Sequence, residues 1–135
     1  GIQASILKTK LNYIDEWNQI RISIAEKYLD ALRYTKQIRL PFKQDNVKQV
    51  YHLFVIRNDK RDKLQEYLKK NNIETGIHYP IALPDLEAYN YLRVNNFNTN
   101  AQKNSKYLLS LPIGDHMNLN DTDKVVKIIK NFFNV

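Results

Sequence analysis

Apolar residues recur at Leu7, Leu11, Ile14, Trp17, Ile20, Ile24, Tyr28 and Leu32, in steps of three or four. That spacing places them on one stripe of a helix. No Pro or Gly interrupts residues 2–34, so the pattern predicts one helix from Ile2 to Tyr34. At the usual rise of an α-helix it would be about 45 Å long. A domain of this size cannot cover such a helix along its whole length, so part of it is expected to pack on something outside the chain. Arg39 to Phe42 then reads as a short extended stretch ended by Pro41. Val50 to Ile56, dense in β-branched and aromatic residues, reads as a buried strand.

Asn58-Asp59 opens a helix with Leu64, Tyr67 and Leu68 inward, and Asn71-Asn72 can take the left-handed conformation that stops it. Ile73 to Pro80 is predicted to be extended and to run into a turn. Pro84-Asp85 caps a short helix through Leu86, Tyr89 and Leu92, and residues 94–100 read as a polar surface loop. Ala101 to Leu109 is predicted to be helical and Ser110 to Ile113 extended. A last helix starts at an Asn120 cap and buries Val125, Val126, Ile129, Phe132 and Phe133. The order of elements predicts a small sheet covered by helices on one face, an α+β layer.

The length of 135 residues fits one domain, and 43% hydrophobic with 26% charged residues is ordinary for a globular chain. No apolar run approaches the roughly 20 residues of a membrane-spanning helix, and no secretory leader pattern stands at Gly1. The absence of cysteine removes disulfides, thiolate metal sites and cysteine nucleophiles, and is compatible with the cytoplasm. A net charge of +7 raises the question of an anionic partner. The 21 Lys and Arg residues are spread along the chain with no run longer than Lys69-Lys70. A solvated basic surface therefore explains the charge better than a nucleic-acid groove.

Three histidines are candidates for chemistry. His52, in the apolar run, reads as a partly buried structural imidazole. His116 has no second ligand at metal-binding spacing. His78 sits between Gly76 and Tyr79-Pro80, a context that presents an imidazole and a phenol from a constrained strand end. Those groups can donate hydrogen bonds to phosphate or sugar hydroxyls, and the residues alone leave that role and a structural one equally open. The glycines at 1, 76 and 114 are too far apart to cradle a phosphate, and no serine has a nucleophile-elbow context. No catalytic, cofactor-binding or metal-ligating set is nominated.

The opening Gly1 to Leu7, "LNYIDEWNQIR" at Leu11 to Arg21, and Ala25 to Tyr28 resemble the DegT/DnrJ/EryC1/StrS aminotransferases. So do "YHLFVIR" at Tyr51 to Arg57, "TGIHYPIALPDLEAY" at Thr75 to Tyr89, "LLSLPI" at Leu108 to Ile113 and the final helix. The resemblance implies the C-terminal small domain of a fold-type I, pyridoxal-phosphate-dependent enzyme. Residues 1–34 would then be the interdomain helix and residues 35–135 the small α+β domain. Family members aminate keto sugars on nucleoside diphosphates, usually with glutamate, in polysaccharide and deoxyamino-sugar biosynthesis. They act as homodimers, without metal, nucleic acid or membrane.

The resemblance gives His78 and Tyr79 a substrate-binding role. The cofactor lysine would lie outside this chain, leaving it inactive alone and without bound cofactor. Where family members often carry a second histidine after His-Tyr-Pro, this sequence has Pro84-Asp85, which leaves the sugar open. Two other readings remain: a stand-alone basic binding module, and a regulatory pseudo-enzyme on the same fold.

Overall fold

The computed structural model describes residues 1–92 and 99–135. Residues 94–98 of the predicted surface loop lie outside the described residues, and the loop ends at Thr99, where a helix is capped.

The first expectation is corrected at its middle. Two helices, α1 (Ile2–Leu11) and α2 (Ile14–Leu32), replace the single one. At the break the Asn12 amide donates to Thr9 O (3.3 Å) and the Tyr13 amide to Lys10 O (3.0 Å), tightening the turn. The Thr9 hydroxyl donates back to the Ser5 carbonyl at 3.2 Å, a bond that favours bending. Nothing in α1 is buried, so no tertiary contact within the chain straightens it. The second half of α2 is buried in the core through Ile24, Ala25, Tyr28 and Leu32, with Ile20 and Ile22 packed against it. The apolar residues of α1 are left uncovered, with Leu7 66% and Leu11 68% exposed.

Strand β1 (Phe54–Arg57) is shorter than the apolar run that predicts it, because Tyr51 takes a left-handed φ of 52°. It pairs antiparallel with β2 (Leu108–Leu111), Phe54 opposite Leu111 and Ile56 opposite Leu109. The extended stretches expected at 39–42 and 73–80 shrink to single rungs. Arg39 bridges Arg57 on one edge and Gly76 bridges Ser110 on the other. Pro41 has no N–H to continue the first rung, and Pro80 limits the second.

Helix α3 (Arg61–Lys70) begins after an Asn58 side chain that accepts the Lys60 amide at 2.8 Å, and Asn72 takes the left-handed stop (φ 58°). Two 3₁₀ turns, Leu83–Asp85 and Glu87–Leu92, stand where one short helix is expected. Helix α4 is confined to Asn100–Asn104, so Leu108 and Leu109 belong to β2 instead of the helix predicted through them. Helix α5 (Leu119–Phe133) starts two residues earlier than expected. Asn118 caps it, and a reciprocal bond from Asp121 closes the capping box.

Alternate residues of a strand face opposite ways. Phe54, Ile56, Leu109 and Leu111 form one face and pack into a single core with α2, α3 and α5. Leu64, Leu68 and Ile129 are fully enclosed there, and Tyr28 donates its hydroxyl to Pro112 O at 2.9 Å. Burial pushes the Tyr28 phenol pKa well above its ordinary range, with the Asp121 charge adding to the shift. The result is a small α+β domain whose second sheet face carries Val55 and Ser110, with the 73–80 segment paired along the β2 edge at Ser110.

Candidate functional site

The site is built outward from that second face. The Gly76 amide donates to Ser110 O (3.0 Å) and the Ser110 amide to Gly76 O (2.8 Å), locking the 73–80 segment against β2. Two residues on, the His78 ring folds back over Gly76, so closely that a Cβ there would collide with the imidazole. Glycine at 76 leaves room for this close approach, and backbone strain plays no part, since no glycine has a positive φ.

His78 Nδ1 lies 2.9 Å from Ser110 Oγ, and Ser110 is only 4% exposed. Either the serine donates to Nδ1 or a protonated Nδ1 donates to the serine; in both cases Nδ1 is taken. Nε2 makes no hydrogen bond among the described residues and is available to a ligand, as donor in the first case and acceptor in the second.

The imidazole stands between two hollows. One, of about 510 Å³, is lined by His78, Tyr79, Ala82, Leu86, Ala101 and Leu108 among others, and is largely apolar. The other, of about 270 Å³, runs past Glu74, Gly76 and Ser110. Tyr79 is 77% exposed at the mouth, edge-on to His78 with ring centroids 6.0 Å apart. The two residues singled out in the sequence are thus brought together at one cavity. Ser110 was missed as a site residue. Its signal was a lone hydroxyl inside the apolar run Leu108-Leu109-Ser110-Leu111, but its partner could only be known from the fold.

The other histidines stay apart from this arrangement. His52 is exposed in the bend before β1, a correction to the buried strand position expected, and its carbonyl accepts from Arg21 at 3.3 Å. His116 is exposed in a turn, its ring over Gly114. Among the described residues no group of side chains could hold a metal ion, and no helix is long and apolar enough to cross a membrane.

A lysine that forms a Schiff base needs a surrounding that lowers its pKa. No lysine here is buried. All are exposed except Lys27 and Lys130, which are half-buried, and Lys27 is held by Asp123 at 2.6 Å. Lys43 pairs with Glu26 at 2.9 Å, and that bond raises its pKa, the wrong direction for a nucleophilic amine.

The two-stranded sheet backed by three helices has counterparts among solved aminotransferases. The profile of the DegT/DnrJ/EryC1/StrS aminotransferase family matches residues 1–130, and the chain belongs to that family. It is 37% identical over 131 residues to the dTDP-3-amino-3,6-dideoxy-alpha-D-galactopyranose transaminase of Aneurinibacillus thermoaerophilus, covering 97% of this chain and 36% of that relative. The erythromycin biosynthesis sensory transduction protein EryC1 of Saccharopolyspora erythraea is 34% identical, over 96% of this chain and 36% of its own. DesV of S. venezuelae, solved in complex with a ketimine intermediate, superposes with a TM-score of 0.90 at 30% identity, over 96% of this chain and 35% of DesV. The chain therefore spans about a third of the length of the relatives it matches.

Proposed function

We propose that the chain is the C-terminal part of a pyridoxal-phosphate-dependent aminotransferase that aminates keto sugars carried on nucleoside diphosphates, with glutamate as donor. The observation that carries this reading is the His78 arrangement, found in a chain that resembles nucleotide-sugar transaminases along nearly its whole length. Ser110 fixes the ring, so the ligand meets Nε2 in one orientation with little rotameric entropy left to lose. Nε2 hydrogen-bonds a sugar hydroxyl or a phosphate oxygen, and the Tyr79 hydroxyl makes a second polar contact from the mouth. Ala82, Leu86 and Leu108 take the carbon face of the sugar and exclude water from it.

Residues 1–34 connect to a large domain of the fold-type I kind, and residues 35–135 are the small domain. The uncovered apolar residues of α1 and early α2 support such a packing role, in the parent subunit and its homodimer.

Pyridoxal phosphate, when bound, supplies an electron sink for the transamination. The lysines of this chain do not fit its covalent attachment, so the cofactor belongs to residues elsewhere in the parent, and the 135-residue chain alone is inactive. On this reading the coding region continues upstream for some 230 residues, the remainder of a relative of which 131 residues make 36%. Borohydride treatment of the isolated chain with pyridoxal phosphate should fix no adduct beyond that on a denatured control. A stoichiometric adduct on one lysine would overturn the assignment.

A regulatory reading has one supporting observation, the sensory transduction name of the Saccharopolyspora relative. It predicts no transamination by the parent under any keto-sugar supply.

A further inference from the structure

The basic residues are scattered along the sequence, yet the fold gathers four of them. Helix α4 and the turn after it have two sides. Ala101 and Ser105 face the hollow beside His78, whereas Lys103 and Lys106 line an open cleft of about 580 Å³. Arg39 and Arg57 also line it, neighbours through the edge rung in which each amide donates to the other's carbonyl at 2.9 Å.

We propose that this cleft is an anion site for a phosphate or diphosphate group. Charge balance carries the assignment. Asp59, 3.4 Å from Arg57 Nη2, is the only carboxylate within salt-bridge distance of any of the four cations among the described residues. Residues 93–98, Arg-Val-Asn-Asn-Phe-Asn, contain no carboxylate that could supply another. Asp85 lies next to a cleft residue, and its carboxylate accepts from Gln102 Nε2 at 2.6 Å.

Arg57 is held ready for a ligand. Its Nε donates to Asn104 Oδ1 at 3.1 Å, and its guanidinium lies 4.4 Å from the centre of the Tyr107 ring. Nη1 makes no bond among the described residues. A fixed guanidinium with a free edge, flanked by the exposed ammonium groups of Lys103 and Lys106, matches the geometry of phosphate oxygens. Among the described residues the cleft shows one aromatic, Tyr107, and no row of stacking aromatics, which favours a small phosphorylated ligand over a nucleic acid. This site stands apart from the aminotransferase reading and would hold equally in a regulator.

The test is a titration of the 135-residue chain, followed by amide NMR, with inorganic pyrophosphate, a nucleoside diphosphate and a short single-stranded oligonucleotide. Saturable shifts at Arg39, Arg57 and residues 102–107 are expected with both small anions, weakening as salt is added. Equal affinities mean that the phosphates alone are read. A nucleoside diphosphate that binds about tenfold tighter identifies a nucleotide as the source. The pair Lys103→Gln and Lys106→Gln, both exposed, should lower affinity about tenfold while leaving the fold and the His78 resonances unchanged. The proposal is overturned by unsaturable shifts, by shifts as large at Lys124 and Lys127 of α5, or by an oligonucleotide that outcompetes both small anions.

Discussion

Replacing Gly76 by alanine tests the clamp on His78 without touching the histidine. The new Cβ occupies the space of the imidazole, so the ring must swing away and release Ser110 Oγ. Ser110 is buried, and a buried hydroxyl left without its partner costs about 1–3 kcal/mol. Alanine narrows the unfolded chain and returns about 0.4–1 kcal/mol, because no positive φ at Gly76 opposes it. The net expectation is a loss of about 1 kcal/mol in urea unfolding at an unchanged m-value. The His78 ring resonances should shift as the bond to Ser110 is lost.

Ser110→Ala removes the hydroxyl itself and should cost about 0.5 kcal/mol, since His78 is exposed and water can replace the bond. In that background no hydroxyl can be stranded, so Gly76→Ala should turn neutral or slightly stabilising. Strict additivity of the two substitutions, or a His78 ring spectrum unaltered by Gly76→Ala, would refute the clamp.

Other consequences follow from the same packing. The raised phenol pKa of Tyr28 makes its contribution complete below the unfolded value of 10.0 and lost as pH climbs above it, because the unfolded chain then ionises first. Stability should fall above about pH 10, and Tyr28→Phe should flatten that part of the fall while costing about 1 kcal/mol at neutral pH. Leu64→Ala, at a fully enclosed position, should cost about 2–5 kcal/mol by denaturant titration, and less than 1 would contradict the core described. Asn118→Ala opens the α5 capping box and should cost about 1 kcal/mol, whereas Asn120→Ala should cost almost nothing, which separates the observed cap from the expected one.

Periodicity carried the helices well because their burial is local to one stripe: Ile24, Tyr28 and Leu32, or Val125, Val126 and Ile129. It failed where the deciding contact is distant or unmarked. The α1–α2 break uses Thr9 and Asn12, residues that also occur inside continuous helices, and no tertiary contact resists it. Apolar content alone could not show that Tyr51 turns left-handed and delays β1 to Phe54. The short rungs at Arg39 and Gly76 depend on which strand lies alongside, information that no local window holds.

The candidate site was half legible. Gly76, His78, Tyr79 and Pro80 form one contiguous phrase, and the structure keeps His78 and Tyr79 at one cavity. Ser110 and the four cations of the cleft come from separated segments and converge only through the sheet and α4. The basic charge read as a spread surface is, at that one place, concentrated.

The most direct trial of the central claim is the transamination rate of the parent protein with a keto-sugar nucleoside diphosphate and glutamate, comparing His78 with His78→Ala. The account predicts turnover by the parent, with the sugar-nucleotide KM raised or kcat lowered about tenfold or more in the variant while its unfolding curve stays unchanged. A parent that never aminates such a sugar, or a variant with unaltered kinetics, would contradict it.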